Sequence, residues 1–123
     1  MEGVVMLSYN KLLRYCVNEL EGGLVSLHWH DFWKCKLEGR MGMEERYKTL
    51  SDKQKIATYA ILAAYNAAFD CEHFSYALQE LSAIDVEGSA FDTVDYDMVQ
   101  ARFFEALKKA KDALFDVEVE EIE

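Results

Sequence analysis

Proline is missing from these 123 residues, and glycine occurs only six times. Without proline nothing in the chain forces a helix to stop, and Pro-rich linkers and collagen-like repeats are excluded. Cysteine is sparse and odd in number, with Cys16, Cys35 and Cys71 far apart. A disulfide framework needs pairs, so reduced, mostly buried thiols in a cytoplasmic protein are expected. Long apolar runs are also lacking. No stretch of about 18 apolar residues is available to span a bilayer. The start, "MEGVVMLSYNKLL", carries Glu2 where a secretory signal would carry a basic leader, so no signal is expected. Positive charge is the most unevenly distributed scarcity: no Lys or Arg falls between Lys55 and Arg102, while eight carboxylates lie from Asp70 to Asp97.

Against these absences, 51% of the residues are hydrophobic, so a folded domain is expected despite a net charge of −10. The length suits one domain over 1–123 with a single core. A first helix is expected over Tyr9–Glu21, capped by Ser8, with Tyr9, Leu13, Cys16 and Leu20 on one face and Gly22-Gly23 as its stop. The stretch after it is ambiguous. Trp29, Trp33 and Leu37 are four apart, as on a helix, but Val25, Leu27, Trp29, Trp33, Cys35 and Leu37 also share one parity, as on a strand. Helix over Leu27–Glu38 is the favoured reading, followed by a turn at Gly39 and Gly42 and a short helix presenting Met43, Tyr47 and Leu50.

"SDKQ" at Ser51–Gln54 is a capping box, and "IATYAILAAYNAAF" beyond it has only Thr58 and Asn66 as non-apolar positions. A helix apolar nearly all round belongs at the centre of a domain, with Ala60, Ala64 and Ala68 allowing close approach. One helix from Asp52 to Ile84 would be about 50 Å long, which argues for a break near Asn66–His73. The last helix is expected from about Asp95, with Val99, Phe103, Ala106, Ala110, Ala113 and Val117 in steps of four and three. Asp92, Asp95 and Asp97 would then suit its positive end, and Lys108, Lys109 and Lys111 its negative end. The fold class is therefore all-α: a compact bundle of about four to six helices around a central Ala-rich helix, its acidic C-terminal stretch, 117–123, frayed.

The charge layout narrows the function. Residues 1–50 balance seven acids with seven bases, residues 51–100 carry nine acids and two bases, and six further carboxylates follow Lys111 without a cation. Direct nucleic-acid binding and attachment to an anionic membrane are disfavoured, because both use Lys and Arg. A basic partner is favoured. Single-sign charge also keeps a small protein soluble, and that is the plainer cause. The sharper reading is that Asp70, Glu72, Asp85, Glu87, Asp92, Asp95 and Asp97, with Asp112, Asp116, Glu118, Glu120 and Glu121, form a binding face. Carboxylates on a helix surface stand about 5–6 Å apart and can imitate a phosphate backbone in a basic groove.

In size, acidity and helical content the chain resembles the small inhibitors that phages make against host nucleases, the anti-restriction and anti-CRISPR proteins. Several of those mimic DNA. The likeness rests on composition and on the Asp70–Asp97 and Asp112–Glu123 acids, with no shared motif. It implies a non-catalytic inhibitor of a nuclease or other nucleic-acid-binding protein.

No motif fixes a chemistry. "HWHD" at His28–Asp31 would chelate a metal only from a strand, since on a helix the two histidines point to nearly opposite sides. "DTVDYDMVQAR" lacks the glycine and distal glutamate of a calcium loop. Cys71 and His73 do not face each other on a helix, and glycine-rich phosphate loops are absent. The expectation is a protein without catalysis, metal or cofactor. Trp29, Phe32 and Trp33 suit core or interface anchoring better than base stacking. A second reading is a self-associating helical adaptor, dimeric through the four–three seam or the tryptophans, whose acids only confer solubility.

Overall fold

A computed structural model describes the backbone over residues 8–22, 27–84 and 93–122 and the side chains over 8–22, 29–71 and 97–121. Four α-helices make up nearly all of it: α1 (Tyr9–Glu21), α2 (Leu27–Arg46), α3 (Asp52–Ile84) and α4 (Thr93–Ile122). No strand occurs among the described residues. The all-α class and the first helix stand as the sequence indicates, and the helix reading of the ambiguous 27–38 stretch holds. Four helices are fewer than the pass along the chain suggests, because two expected interruptions are absent.

The first is the turn at Gly39 and Gly42. Both glycines lie inside α2, and a Cβ at either would meet nothing within 4 Å. Glycine costs about 1 kcal/mol relative to alanine in a helix. Burying Leu37 completely contributes about 2 kcal/mol, and the Arg40–Glu44 pair (2.8 Å) bridges the same turn. Packing therefore outweighs propensity. The helix stops instead at a Schellman arrangement, in which the Lys48 amide donates to Glu45 O and the Thr49 amide to Glu44 O, both at 3.1 Å. Lys48 adopts the left-handed conformation there, with φ 54°.

The second is the break near Asn66–His73: α3 runs unbroken for 33 residues. Compactness argued for a break, but the chain supplies neither proline nor glycine there. The 30-residue α4 runs antiparallel beside α3, so the length is partnered rather than folded back. Lys53 meets Glu120 and the Cys71 thiol donates to Val99 O (3.3 Å), which fixes the direction. The capping box forms as written: the Ser51 amide donates to Gln54 Oε1 at 2.8 Å and the Gln54 amide to Ser51 Oγ at 3.2 Å.

The core lies where α1 crosses the first half of α3. α1 and α3 each touch all three other helices, whereas α2 and α4 do not touch among the described residues. Leu13, Cys16, Val17 and Leu20 of α1 meet Ala57, Ile61, Ala64, Tyr65 and Ala68 of α3, with Leu37 and the α4 residues Phe103, Ala110, Leu114 and Val117. Ala64 and Ala68 are fully buried and Ala60 partly so, as a stripe covered by neighbouring helices would be. α3 is not apolar-buried all round, however, since Ile56 and Tyr59 face solvent. The four–three seam of α4 is spent inside the fold, Phe103, Ala110 and Val117 buried with Val99, Ala106 and Ala113 half-buried, so it offers no surface for self-association.

Polar ties set the α1–α3 register. Thr58 donates to Gln54 O at 2.7 Å, so the Tyr9 hydroxyl must be the donor in its 2.5 Å bond to Thr58 Oγ1. Gln54 Nε2 also donates to Asn10 Oδ1 at 2.9 Å. Replacing both Gly39 and Gly42 by Ala should raise stability by about 1–2 kcal/mol, read from denaturant unfolding. An unchanged or lower midpoint would mean that α2 needs those glycines after all.

Candidate functional site

Two regions carry side chains that the core does not use: the carboxylates of α3 and α4, and an aromatic face on α1 and α2. Between them lies a buried polar cluster.

The acids divide by level along the α3–α4 pair. Asp70, beside the Cys71–Val99 contact, lies near the level of Asp97, and both are exposed. Asp112, Asp116, Glu118, Glu120 and Glu121 occupy the other end of α4, with Asp112 about 22 Å along the helix from Asp97. Exposed Arg102, Lys108, Lys109 and Lys111 lie between the two groups. Those lysines were expected near the negative end of the helix. Because α4 continues to Ile122, they are mid-helix and its last turn holds no base. The acidic stretch from Val117, where fraying was expected, is helical to Ile122, with Val117 buried. Asp95 and Asp97 do lie near the helix start, as the dipole favours. Asp85, Glu87 and Asp92 fall outside the described residues, and Glu72 and Asp95 are placed by backbone alone.

Not every acid is free to meet a partner. Glu118 takes a two-pronged contact from the Arg14 guanidinium and Glu120 pairs with Lys53 at 3.7 Å. Lys111 reaches Glu21 of α1 at 3.7 Å. Asp112, Asp116 and Glu121 are exposed and form no ion pair among the described residues. Asp112 and Asp116, four apart, share one side of the helix.

The aromatic face joins Tyr15 of α1 to Trp29, Phe32 and Trp33 of α2. Trp29 is 54% exposed and Phe32 41%, while Trp33 is half-buried against Tyr15 with ring centroids 6.0 Å apart. Phe32 meets Trp29 and Trp33 edge-on at 5.9 and 5.5 Å. The Lys36 ammonium lies 5.0 Å from the Phe32 ring centre and 5.5 Å from that of Trp33. A shallow open depression lined by Asp31, Phe32, Cys35 and Lys36 adjoins it.

The buried cluster was not legible as such. His30, 1% exposed, turns inward, and its Nδ1 lies 2.6 Å from Glu19 Oε1. Its ring meets Tyr65 and Phe69 edge-on, and Tyr65 donates to Cys16 O at 3.3 Å. Burial first, and then the neighbouring Cys16 and Glu19, push the Tyr65 phenol well above its ordinary value. Burial likewise pushes the Cys16 thiol up to about 12, so no thiolate forms near neutrality and it is a poor nucleophile. The signal was available: Glu19 lies three residues after Cys16, on the edge of the buried face of α1. Among the described residues, no group of three or more His, Cys, Asp or Glu side chains is placed to hold a metal ion. Nor is any helix there long and apolar enough to cross a membrane.

No family model, curated protein or solved structure matches this chain.

Two outcomes follow from the cluster. Removing His30 leaves Glu19 buried without that partner, so His30→Ala should cost about 3–5 kcal/mol. In a double-mutant cycle, Glu19→Ala added to His30→Ala should cost much less than Glu19→Ala alone, and simple additivity would disprove the coupling. The raised Cys16 value stabilises the fold below the unfolded thiol's value near 9 and is lost as pH climbs towards about 12. Stability should therefore fall across that window, less steeply in Cys16→Ala. In the folded protein only exposed Cys35 should react promptly with a thiol reagent, Cys16 and Cys71 following on unfolding.

Proposed function

We propose that this is a non-catalytic acidic binding protein that sequesters or inhibits a basic, nucleic-acid-processing protein in the cytoplasm. Its carboxylates stand in for phosphates, in the manner of the phage anti-restriction and anti-CRISPR inhibitors. One observation carries the reading. Glu121 lies in the last turn of α4, at the negative end of its dipole, with Asp116 and Asp112 on the turns before it, and none of the three has an ion-pair partner among the described residues.

Carboxylates at a helix start are accounted for by the dipole, whereas Glu121 in the last turn costs about 0.3–1 kcal/mol and Asp112 and Asp116 gain nothing from it. Local folding therefore gives no reason for them, and solubility is served by acids anywhere on the surface. A basic partner does give a reason, because desolvated contacts to Lys and Arg are charge-assisted and strong. The helical scaffold holds Asp112 and Asp116 about 6 Å apart without any ordering on binding. Asp70 and Asp97 form a second anionic point near the other end, spaced to meet another part of an extended basic groove.

The test is displacement of labelled duplex DNA from purified basic DNA-binding nucleases. The protein should compete, and competition should weaken steeply as salt rises. Asp112→Asn/Asp116→Asn/Glu121→Gln should lose competition by about tenfold or more while keeping its helicity. Full competition by that triple variant would overturn the reading.

A further inference from the structure

We infer that the aromatic face of α1 and α2 docks an acidic amphipathic helix of another protein, separately from the carboxylates of α4. The face is apolar and already ordered. Tyr15, Trp29 and Phe32 are exposed although Trp29 and Phe32 meet edge-to-face and Tyr15 packs on Trp33, and Met43, 52% exposed, extends the strip along α2. Trp29, Trp33, Lys36, Arg40 and Met43 follow one another in steps of four and three, the spacing with which one helix presents a seam to another. Next to them Gly39 leaves open space, where the backbone of a docked helix can come close.

The charge on this strip selects the occupant. Lys11, one turn before Tyr15, and Lys36 are exposed, form no ion pair among the described residues, and outnumber Asp31, the exposed acid beside Phe32. They are positive points on a chain of net charge −10. A twofold contact centred on Phe32 and Trp33 would bring together the two Lys36 ammoniums that lie over those rings, an unfavourable contact of like charges. A nucleic acid would find the faces of Phe32 and Trp33 already covered by the Lys36 ammonium, and would be repelled by the rest of the molecule. A short helix with apolar residues along one side and carboxylates beside them fits both features. Its apolar side covers Trp29 and Phe32, and its carboxylates meet Lys11 and Lys36.

The experiment uses the intrinsic fluorescence of the full chain, because its two tryptophans are Trp29 and Trp33. The probe is a Trp-free synthetic peptide of Leu, Ala and Glu with Leu at heptad spacing, compared with a scrambled peptide of the same composition. The patterned peptide should shift the emission to the blue saturably, and the scrambled one should bind about tenfold more weakly or less. Lys36→Glu should weaken the patterned peptide to a similar extent. Asp112→Asn/Asp116→Asn should leave its binding intact, which separates this face from the acidic one. No emission change, an equal response to both peptides, or undiminished binding by Lys36→Glu would overturn the inference. So would a blue shift that grows with protein concentration alone, which would assign the face to a second copy. Stronger binding of a single-stranded oligonucleotide than of the patterned peptide would overturn it too.

Discussion

The packing of α1 along the first half of α3 is the contact on which the rest depends. It runs from the Asn10–Gln54 bond through Tyr9 and Thr58 to Tyr65 on the Cys16 carbonyl, so that the two helices advance in parallel. Each then presents a separate flank to α2 and to α4, which do not meet among the described residues. α2 is positioned through Glu19–His30 and the Trp33–Tyr15 contact, and α4 through Arg14–Glu118, Lys53–Glu120 and Cys71–Val99. Because α1 and α3 separate them, the aromatic lysine-bearing surface and the carboxylate-bearing helix belong to different sides of the bundle. A molecule built this way keeps Lys36 and the aromatic rings apart from the carboxylates of α4.

The polar ties in that contact matter more for position than for net stability. A neutral buried hydrogen bond adds about 1 kcal/mol, while each fully buried Leu or Ile side chain adds about 1.5–3 kcal/mol. Leu13, Leu20, Ile61, Leu37 and Leu114 therefore supply most of the driving force. Hydrophobic contact is non-directional, however, and would tolerate α1 sliding along α3. A slide of one residue would break the bonds of Asn10, Tyr9 and Tyr65 at once and strand buried polar groups. That penalty fixes the register of α1 on α3.

Much of the fold was legible because its signals are local. Ser8 and the Ser51–Gln54 box marked two helix starts, and the period of Tyr9, Leu13, Cys16 and Leu20 marked the buried face of α1. The misjudged places were those where propensity and packing disagree. Gly39 and Gly42 read as a turn, yet the residues around them are held as helix by burial and by ion pairs across one turn. The length of α3 read as implausible because compactness was argued for one helix alone, without a long partner beside it. His30 was weighed as a metal ligand with His28. Its actual role depends on Glu19, eleven residues away on another helix, and no spacing rule links the two.

The same contrast separates the two kinds of surface charge. An acid at the start of a helix can be explained without a partner, and the dipole accounts for Asp95 in the first turn of α4. An acid near the end of α4 cannot be explained in that way. Glu118 and Glu120 have found cations on α1 and α3, so the fold offsets part of the repulsion it creates there. Asp112, Asp116 and Glu121 are not offset, although Lys108, Lys109 and Lys111 stand on the preceding turns of the same helix. Lys109 and Lys111 are directed instead to Glu105 and to Glu21 on α1. The bundle thus leaves three carboxylates where neither the helix dipole nor an ion pair among the described residues accounts for them.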